Sequence, residues 1–591
     1  MLKKLKRPLV SSIIILVMIC SCARRLPPPG GPEDRTPPKI LAATPEQNAT
    51  RVSLSTRPRF VFSEKIDHQS FAQAFFVSPP LHNEKPMRFR WRGKEAEAIF
   101  PDSLHAARTY VINLGTDVRD LRGNRLAGAF TLAFSTGDSI DTGAIHGKIL
   151  FDKPAGVLIM AYLLRPEHEP NPARDFADYL TQAGEKGDFS LSHLSDGRYR
   201  LFAVQDGSGD RLYNHGEEPI GVPIQDVVLA PAARAYRDLN LRLALADTIQ
   251  PRLAGTAAAD QTHLELNFAE EVAPVDSIWS RHLRLIASSG DSLKIFAAHP
   301  HPLNARQIHV LTGPQQATNY KIFFDRIIDA AGNELDSLSR QSEFTGRAQP
   351  DTNRPRIVRL TPADSSRNVT VTNSVEMIFS EMIASSPTLT NYSPAKIERK
   401  RGPLAVLDST GKSVKGKGVW LNPLLFRFQP DTLLKSRAQY FVKIFADSTL
   451  DPGGNALFDT LKQITFWTMN ADTLTSISGM LTDAQPDATG TMHLTLKQVG
   501  AFSGSAFGAP PAAARSGVEY SLILPAPEPY RFDHILPGLY QLSGFRDANK
   551  NGRYDFGAAF PFVPSERFVV WPDTMKVRSR WPNEGNDFVM P

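Results

Sequence analysis

The chain has 591 residues, which predicts several domains rather than one. Its 67 basic and 61 acidic residues leave a formal net charge of +6, and the basic residues are dispersed along the chain, which argues against a nucleic-acid partner. The two cysteines, Cys20 and Cys22, lie near the start, so the rest of the chain excludes a disulfide framework, a zinc–cysteine cluster and a cysteine nucleophile.

The first 21 residues have the organisation of an export signal. An apolar run over residues 9–19 follows four basic residues, which are Lys3, Lys4, Lys6 and Arg7. This run is shorter than the roughly 20 apolar residues that a membrane-spanning helix needs. A cleaved signal peptide over residues 1–21 is therefore favoured over a retained membrane anchor.

Residues 19–22, with the sequence Ile-Cys-Ser-Cys, resemble the lipobox of bacterial lipoproteins. The resemblance implies cleavage before Cys22, a lipid on its sulfur and attachment to a membrane, with each buried methylene contributing about 0.8 kcal/mol. By the same resemblance, Ala23 in place of an aspartate favours the outer membrane over the inner one. The alternative is an ordinary signal peptide with two incidental cysteines. Residues 22–38 are rich in proline and glycine and predict a tether.

Three segments share one pattern and are predicted to be equivalent domains, at 39–138, 247–349 and 350–470. A proline marks the entry of each segment, at Pro38, Pro251 and Pro355. A strand follows whose apolar residues fall at every second position, and a later strand begins with tyrosine. The alternating apolar residues are Phe60 and Phe62, then Leu264, Leu266 and Phe268, then Val375, Met377 and Phe379. Period two predicts strands with one buried side and one side that faces solvent.

A turn with the sequence Asp-x-x-Gly-Asn follows the tyrosine strand in each of these segments, at Asp120, Asp329 and Asp451. An aspartate here accepts hydrogen bonds from amides a few residues on, and glycine or asparagine adopts positive φ at low cost, which predicts a structural role. The alternative is a general acid–base pair between this aspartate and the glutamate that ends the alternating strand. Those glutamates are Glu64, Glu270 and Glu381. Three equivalent catalytic sites in one chain would be unusual, so the structural role is favoured.

The three segments resemble bacterial Ig-like domains of the SbsA type. The resemblance rests on the proline entry, the Phe-Ser-Glu strand end, the Asp-x-x-Gly-Asn turn and the Phe-Ser-Thr that closes the first segment. The second segment departs from the pattern, with Ala269 in place of serine and only Phe344 and Thr345 at its close.

A second repeat relates residues 193–201 to residues 534–542, which align without gaps. Both contain a Gly-x-Tyr-x-Leu strand that a tight turn precedes. The pattern resembles the carboxypeptidase-regulatory or prealbumin-like β-sandwich, also called a carbohydrate-binding-like fold, over residues 139–246 and 471–591. This fold does not by itself imply sugar binding.

The predicted fold class is all-β. Sandwiches of about 100 residues fit the five segments, which predicts tandem Ig-like and prealbumin-like β-sandwiches in an extended array. Helical patterns are nearly absent, and residues 166–183 predict a loop with at most one short helix.

One loop in each segment of the second repeat has the spacing of a calcium loop. In the later loop, positions 1, 3, 5 and 9 are Asp547, Asn549, Asn551 and Asp555. Glycine stands at position 6 as expected, but alanine replaces the carboxylate of position 12. In the earlier loop, the oxygen-bearing positions are Asp206, Ser208, Asp210, Asn214 and Glu217, and arginine replaces the glycine. The alternative is an Asx-rich hairpin whose side chains bond their own backbone.

The zinc-protease His-Glu-x-x-His, the Gly-x-Ser-x-Gly elbow and the phosphate-binding glycine loop do not occur, so the chain is expected not to be an enzyme. We expect a lipid-anchored, non-catalytic protein of the cell envelope with a structural or protein-interaction role. Its partners would be the membrane, through the lipid, and an envelope protein or glycan, but not nucleic acid. No cofactor is expected beyond a structural calcium ion. A carbohydrate- or peptidoglycan-binding array is the alternative.

Overall fold

The computed structural model describes residues 34–81, 87–384, 386, 389, 402–458, 462–485, 488–500 and 517–591. These residues form 41 β-strands, one short α-helix and a few 3-10 turns, which confirms the predicted all-β fold class. Within this part of the chain, no helix is long and apolar enough to cross a membrane. The predicted signal peptide and the predicted lipidation site Cys22 lie outside the described residues.

The five segments are called modules 1 to 5 in chain order: 39–138, 139–246, 247–349, 350–470 and 471–591. A separate cluster of buried apolar side chains is centred in each module. The chain divides into two compact units, and their main boundary lies between Leu243 and Ala244. Modules 1 and 2 fall mainly in the first unit, and modules 3 to 5 fall mainly in the second.

Module 1 contains two antiparallel sheets, with the strand orders β1-β2-β5-β4 and β3-β6-β7. Helix α1 (His68–Gln73) begins after Asp67, whose carboxylate accepts a hydrogen bond from the Ser70 amide at 2.8 Å. The strands are β1 (Ile40–Thr44), β2 (Arg59–Phe62), β3 (Phe75–Ser78), β4 (Arg88–Arg92), β5 (Glu95–Ile99), β6 (Thr109–Leu114) and β7 (Phe130–Ser135).

Module 2 has one main strand path, β10-β9-β12-β13-β15-β8-β11, and β14 also pairs with β12. The first strand, β8, pairs in parallel with the last, β15. The strands are β8 (Gly143–Leu150), β9 (Leu158–Leu163), β10 (Tyr179–Gln182), β11 (Asp188–Leu194), β12 (Gly197–Val204), β13 (Pro219–Gly221), β14 (Val227–Leu229) and β15 (Ala235–Leu245).

The expected loop at residues 166–183 contains strand β10 and no helix. Tyr179 and Leu180 are both buried, and the Leu180 carbonyl accepts a hydrogen bond from the Asn113 side chain of module 1 at 2.7 Å. The strand therefore forms because tertiary contacts outweigh a weak local preference.

Modules 3 and 4 repeat the arrangement of module 1. Their first sheets have the orders β16-β17-β22-β21 and β26-β28-β31-β30, and their second sheets have the orders β20-β19-β23-β25 and β27-β33-β32-β29. The strands of module 3 are β16 (Leu253–Ala258), β17 (His263–Phe268), β18 (Val272–Pro274), β19 (Leu283–Ala287), β20 (Ser292–Leu293), β21 (Ile295–His301), β22 (Asn304–Thr312), β23 (Asn319–Phe324), β24 (Ile327–Asp329) and β25 (Gln341–Thr345). Those of module 4 are β26 (Ile357–Thr361), β27 (Ser366–Val369), β28 (Val375–Phe379), β29 (Leu404–Asp408), β30 (Gly416–Asn422), β31 (Leu425–Pro430), β32 (Gln439–Ile444) and β33 (Gln463–Thr468).

Module 5 resembles module 2 in its pairing of first and last strands, because β34 runs parallel to β41. Its sheets have the orders β37-β34-β41 and β36-β35-β38-β39, and β40 also pairs with β38. The strands are β34 (Thr475–Asp483), β35 (Thr491–Gly500), β36 (Glu519–Leu524), β37 (Pro529–Ile535), β38 (Gly538–Asp547), β39 (Phe568–Val570), β40 (Met575–Val577) and β41 (Phe588–Met590).

The predicted alternation of apolar residues is confirmed by burial. The alternating residues of β2, β17 and β28 are at most 4% exposed, and they belong to the cores of modules 1, 3 and 4. Burying each such side chain contributes roughly 1.5–3 kcal/mol. These strands carry the polar ends and turns from which the candidate site is built.

Candidate metal centres

The Asp-x-x-Gly-Asn turns of modules 1 and 3 are held by their aspartates, as the sequence predicts. Asp120 Oδ1 accepts hydrogen bonds from the amides of Arg122 (2.7 Å) and Asn124 (2.9 Å), and Oδ2 accepts from the Asn124 side chain (2.8 Å). Asp329 makes the equivalent contacts with Ala331 and Asn333 at 2.8–2.9 Å. Each of these aspartates is therefore a structural residue of its turn.

Two more carboxylates lie beside each turn aspartate: the glutamate after the alternating strand and an aspartate in the segment that leads into the module. The clusters are Asp34, Glu64 and Asp120 in module 1, Asp247, Glu270 and Asp329 in module 3, and Asp351, Glu381 and Asp451 in module 4. In each cluster, one ligand oxygen per residue lies within 4.8 Å of the other two. Oxygens that bind one calcium ion at about 2.3–2.6 Å are at most about 5 Å apart, so all three clusters have the spacing of a cation site.

Sequence reasoning considered the glutamate and the turn aspartate together but missed the lead-in aspartate. The asparagine of the turn positions this residue, because its side-chain nitrogen donates to the aspartate carbonyl oxygen at 3.1, 3.0 and 3.2 Å in modules 1, 3 and 4. A signal was present in the sequence. Asp34, Asp247 and Asp351 each stand six residues before the first residue of the strand that opens the module, at Ile40, Leu253 and Ile357.

The pKa of the glutamate is raised in all three clusters, and the size of the shift differs between them. Burial is the largest cause that raises the pKa of the glutamate in each cluster, and neighbouring aspartate charges raise it further. In module 4, the pKa of Glu381 reaches about 8 and that of Asp451 about 6, again with burial as the first cause. The module 4 cluster is therefore the least solvated of the three.

The predicted calcium loop of module 5 brings its four oxygen-bearing residues together. Asp547 is 1% exposed, and its two carboxylate oxygens accept hydrogen bonds from the amides of Asn551 (3.0 Å) and Gly552 (2.7 Å). The Asn549 and Asn551 side chains both donate to the Asp555 carboxylate at 2.6–3.1 Å. These bonds are those of an Asx-rich hairpin. Calcium binding by this loop stays a prediction.

A further residue of this loop was missed by sequence reasoning. Glu566 accepts hydrogen bonds from the amides of Ala548 (2.8 Å) and Asp555 (3.1 Å), so its carboxylate joins the two ends of the loop. It stands well beyond position 12, where the loop has Ala558, and the fixed spacing of calcium loops could not reveal it.

The related loop of module 2 is closed by the same kinds of contact. Asp206 accepts hydrogen bonds from the amides of Gly209 (2.7 Å) and Arg211 (3.0 Å) and from the Ser208 hydroxyl (3.1 Å). The Asn214 side chain donates to Ser208 at 3.2 Å and to Asp210 at 3.3 Å. The fifth predicted residue of this set, Glu217, is exposed.

Arg211 explains why this loop lacks the glycine of position 6. Its φ of +64° is close to the +78° of Gly552, so the two loops share one backbone conformation. The guanidinium group lies 4.8 Å from the centre of the Phe76 ring and donates to the Phe75 carbonyl at 3.2 Å, both in module 1. The arginine therefore links module 2 to module 1.

Residues 34–136 and 351–468 match the family of bacterial Ig-like domains. Among curated protein sequences, none matches this chain.

Solved structures with partial similarity include a surface layer protein and a glycan-binding protein. Domains 1-6 of surface layer protein SbsC match at 8% identity over 92% of this chain and 67% of that one, with a TM-score of 0.16. The Bacteroides ovatus protein SGBP-B of a mixed-linkage glucan utilization locus, in complex with a heptasaccharide, matches at 12% identity over 68% of this chain and 94% of that one, with a TM-score of 0.17.

The LD transpeptidase LdtMt1 matches at 14% identity over 29% of this chain and 74% of that one, with a TM-score of 0.15. Structural similarity at this level supports no statement about function. The comparisons thus assign bacterial Ig-like domains to residues 34–136 and 351–468, which correspond to modules 1 and 4.

Proposed function

We propose that this chain is a lipid-anchored, non-catalytic protein of the cell envelope whose β-sandwich modules have a structural or protein-interaction role. The observation that carries the proposal is the array itself. Five modules each bury their own core, and two of them match bacterial Ig-like domains. Such modules hold or space a partner through their surfaces, and this role requires no catalytic residue.

Contacts between modules 1 and 2 support a structural role, because these modules are docked rather than loosely linked. Val111 of module 1 is 1% exposed and belongs to the apolar core of module 2. Buried polar groups join the same surfaces: Asn113 donates to the Leu180 carbonyl at 2.7 Å, and the Gln182 side chain donates to Asp117 at 3.0 Å. A spacer needs fixed junctions of this kind.

The carboxylates of modules 1 and 3 support the absence of catalysis. Asp120 and Asp329 are 2% and 6% exposed, and both oxygens of each already accept hydrogen bonds within the turn. A general base must reach a substrate proton, and aspartates this deeply buried in a turn offer little surface to a substrate. These aspartates therefore suit a turn and not an acid–base pair.

The proposed anchor is the lipid on Cys22, and the proposed location is the outer membrane. The basic start, the apolar run and the Ile-Cys-Ser-Cys sequence support it, and the tether at residues 22–38 would separate the lipid from the first strand at Ile40.

Acyl labelling tests the anchor. Cells that express the wild type, Cys22→Ala or the matched control Cys20→Ala are fed a labelled fatty acid, and their membranes are fractionated. We expect label and outer-membrane location for the wild type and for Cys20→Ala, and loss of both for Cys22→Ala. Label that persists in Cys22→Ala would overturn the assignment.

A second candidate function is glycan binding, and one observation favours it. Trp581 of module 5 is 72% exposed, and an exposed indole is a surface on which a sugar ring can stack. Pull-down with isolated sacculi separates the two functions. A structural protein gives no saturable binding, whereas a glycan-binding module gives saturable binding that Trp581→Ala reduces.

A further inference from the structure

Modules 3 and 4 meet at an apolar seam. Ala297 and Leu311 of module 3 pack with Met382 and Leu424 of module 4, and all four side chains are at most 5% exposed. The carboxylate cluster of module 4 adjoins this seam, because Glu381 directly precedes Met382. The cluster therefore lies at the junction of the two modules.

Two carboxylates of this cluster each have one oxygen that lacks a hydrogen-bond partner. Asp451 is 0% exposed, and its Oδ2 makes no hydrogen bond. The side chain of Asp351 is 2% exposed, and its Oδ2 also makes none. Buried polar atoms are nearly always paired, and a buried anion without a partner is especially unfavourable. These oxygens therefore point to a ligand that the side chains of the described residues do not supply.

The nearby histidine does not supply this missing partner. His263 Nδ1 lies 2.8 Å from Asp260 Oδ2 and 3.7 Å from Asp351 Oδ2, and the second distance is too long for a hydrogen bond. Asp260 in turn accepts from the amides of Thr262 and His263 at 2.7 and 3.0 Å. His263 is therefore paired with Asp260 through Nδ1, and its own Nε2 is a further buried atom without a hydrogen-bond partner.

A glycine makes room for the Asp351 carboxylate. Gly453 stands in the turn where module 1 has Arg122 and module 3 has Ala331. A Cβ atom built on Gly453 would lie 2.8 Å from Asp351 Oδ2, closer than Cβ atoms approach their neighbours, so the carboxylate would have to shift. Gly453 is not among the positive-φ glycines, so space rather than backbone conformation accounts for the glycine here.

The other two clusters serve as internal comparisons. Their lead-in aspartates, Asp34 and Asp247, are exposed, and both oxygens of their turn aspartates accept hydrogen bonds. The three clusters therefore share a sequence pattern, and among the residues that the structure describes only the module 4 cluster combines burial with unpartnered carboxylate oxygens.

We propose that Asp351, Glu381 and Asp451 bind one calcium ion that fixes module 3 against module 4. Three carboxylates within 4.8 Å are ligands for a hard cation, and calcium accepts the irregular geometry and bidentate carboxylates that such a cluster offers. Magnesium requires a near-ideal octahedron, and zinc prefers nitrogen or sulfur ligands. Water and the second carboxylate oxygens complete the six to eight ligands.

The test uses the full chain after removal of cations with a chelator. Calcium is titrated by calorimetry, and thermal unfolding is followed with and without calcium. The variants are Asp351→Asn, which removes one charge at constant shape, and Gly453→Ala, which keeps every charge and displaces the Asp351 carboxylate. The matched controls are Asp34→Asn and Asp247→Asn, which change the equivalent residues of the other two clusters.

We expect both junction variants to weaken one calcium-binding event at least tenfold and both controls to leave it unchanged. Asp351→Asn should also change which protein has the higher melting temperature. Without calcium, the variant should melt at a higher temperature than the wild type, because it lacks one buried negative charge. With calcium, it should melt at a lower temperature than the wild type, because it binds the ion more weakly. A purely structural aspartate would not give this reversal.

Three results would overturn the proposal. One is the absence of calcium binding by the wild type. Another is an identical isotherm for Asp351→Asn, which would place any calcium elsewhere, such as the loop at Asp547. The last is tighter binding of zinc than of calcium, with zinc binding lost in His263→Ala. If Asp351→Asn does not fold, Gly453→Ala and the wild-type titration still decide the matter.

Discussion

The hydroxyl of Tyr540 donates a hydrogen bond to the Leu536 carbonyl at 2.8 Å, and Tyr199 makes the same bond to the Ser195 carbonyl at 2.8 Å in module 2. Both tyrosines are 0% exposed. The bond joins the start of the Gly-x-Tyr-x-Leu strand to the turn before it. The tyrosine of this repeat therefore contributes a hydrogen bond through its hydroxyl as well as packing through its buried ring.

Replacing Tyr540 with phenylalanine should loosen module 5 alone. The ring stays and one buried hydrogen bond is lost, which costs about 1 kcal/mol. We expect amides of β38 to exchange about fivefold faster in hydrogen-exchange mass spectrometry. Tyr199→Phe is the matched control, since it should affect β12 and leave β38 unchanged. Equal effects of both variants on both strands would contradict a local role.

Asp483→Asn should strongly destabilise module 5. The Asp483 side chain is 0% exposed and pairs with Arg546 and with Arg567, the latter at 2.5 Å. Removing its charge leaves two nearly buried guanidinium groups uncompensated, and we expect a loss of about 3–5 kcal/mol by denaturant unfolding. The control is Asp533→Asn. It removes an exposed ion pair with Arg531, and its free energy of unfolding should fall by less than about 1 kcal/mol. Comparable losses in both variants would count against a buried ion network.

The Asp483 carboxylate also leads us to expect that module 5 loses stability in acid. Burial alone would raise the pKa of Asp483, but the hydrogen bond of Arg567, the Gln485 amide and the charges of Arg567 and Arg546 outweigh burial and lower it. Because the folded-state pKa lies below the unfolded value of about 3.9, the stabilisation is present above about pH 4 and is lost as the pH falls through the folded-state pKa.

The melting temperature of module 5 in the wild type should therefore fall more steeply below about pH 4 than that of Asp483→Asn. Thermal unfolding at a series of acidic pH values measures the difference. Parallel curves for the two proteins would show that another group governs acid unfolding.

Arg211→Gly should weaken the contact between module 2 and module 1 without strain in the loop. Glycine adopts the φ of +64° without strain, so the substitution removes the side-chain contacts with the Phe76 ring and with the Phe75 and Gln73 carbonyls. We expect a loss of about 1–2 kcal/mol at this junction, seen as faster amide exchange in β3. Arg211→Lys keeps the charge but loses the planar guanidinium group, so its rate of amide exchange in β3 should lie between those of the wild type and Arg211→Gly. Unchanged exchange in β3 would show that the arginine does not hold the junction.

The strands could be predicted from the sequence because their signal is local. Phe60 and Phe62, like Leu264 and Leu266, stand two positions apart, and they are buried whereas Val61 and Glu265 between them are more exposed. Strand β10 could not be predicted, because Tyr179 and Leu180 are buried partly against another module and their local sequence is ambiguous.

The candidate site was predicted only in part. The turn aspartates and strand-end glutamates are visible in the sequence because they recur at equivalent positions of the repeat. The lead-in Asp351 lies in a linker between two modules, where no strand or turn pattern indicates a ligand. In the sequence, Arg211 is visible only as a departure from the pattern of a calcium loop. Its actual contacts lie more than 130 residues away, at Phe75, and no spacing rule connects the two.

The parallel pairing of β8 with β15 and of β34 with β41 has a mechanical consequence. A polypeptide that enters such a module along its first strand leaves along its last strand at the opposite end. Tension applied at the two ends therefore drags the paired strands past each other lengthwise. The paired positions, six between β8 and β15 and three between β34 and β41, are therefore loaded in shear together rather than separated one after another.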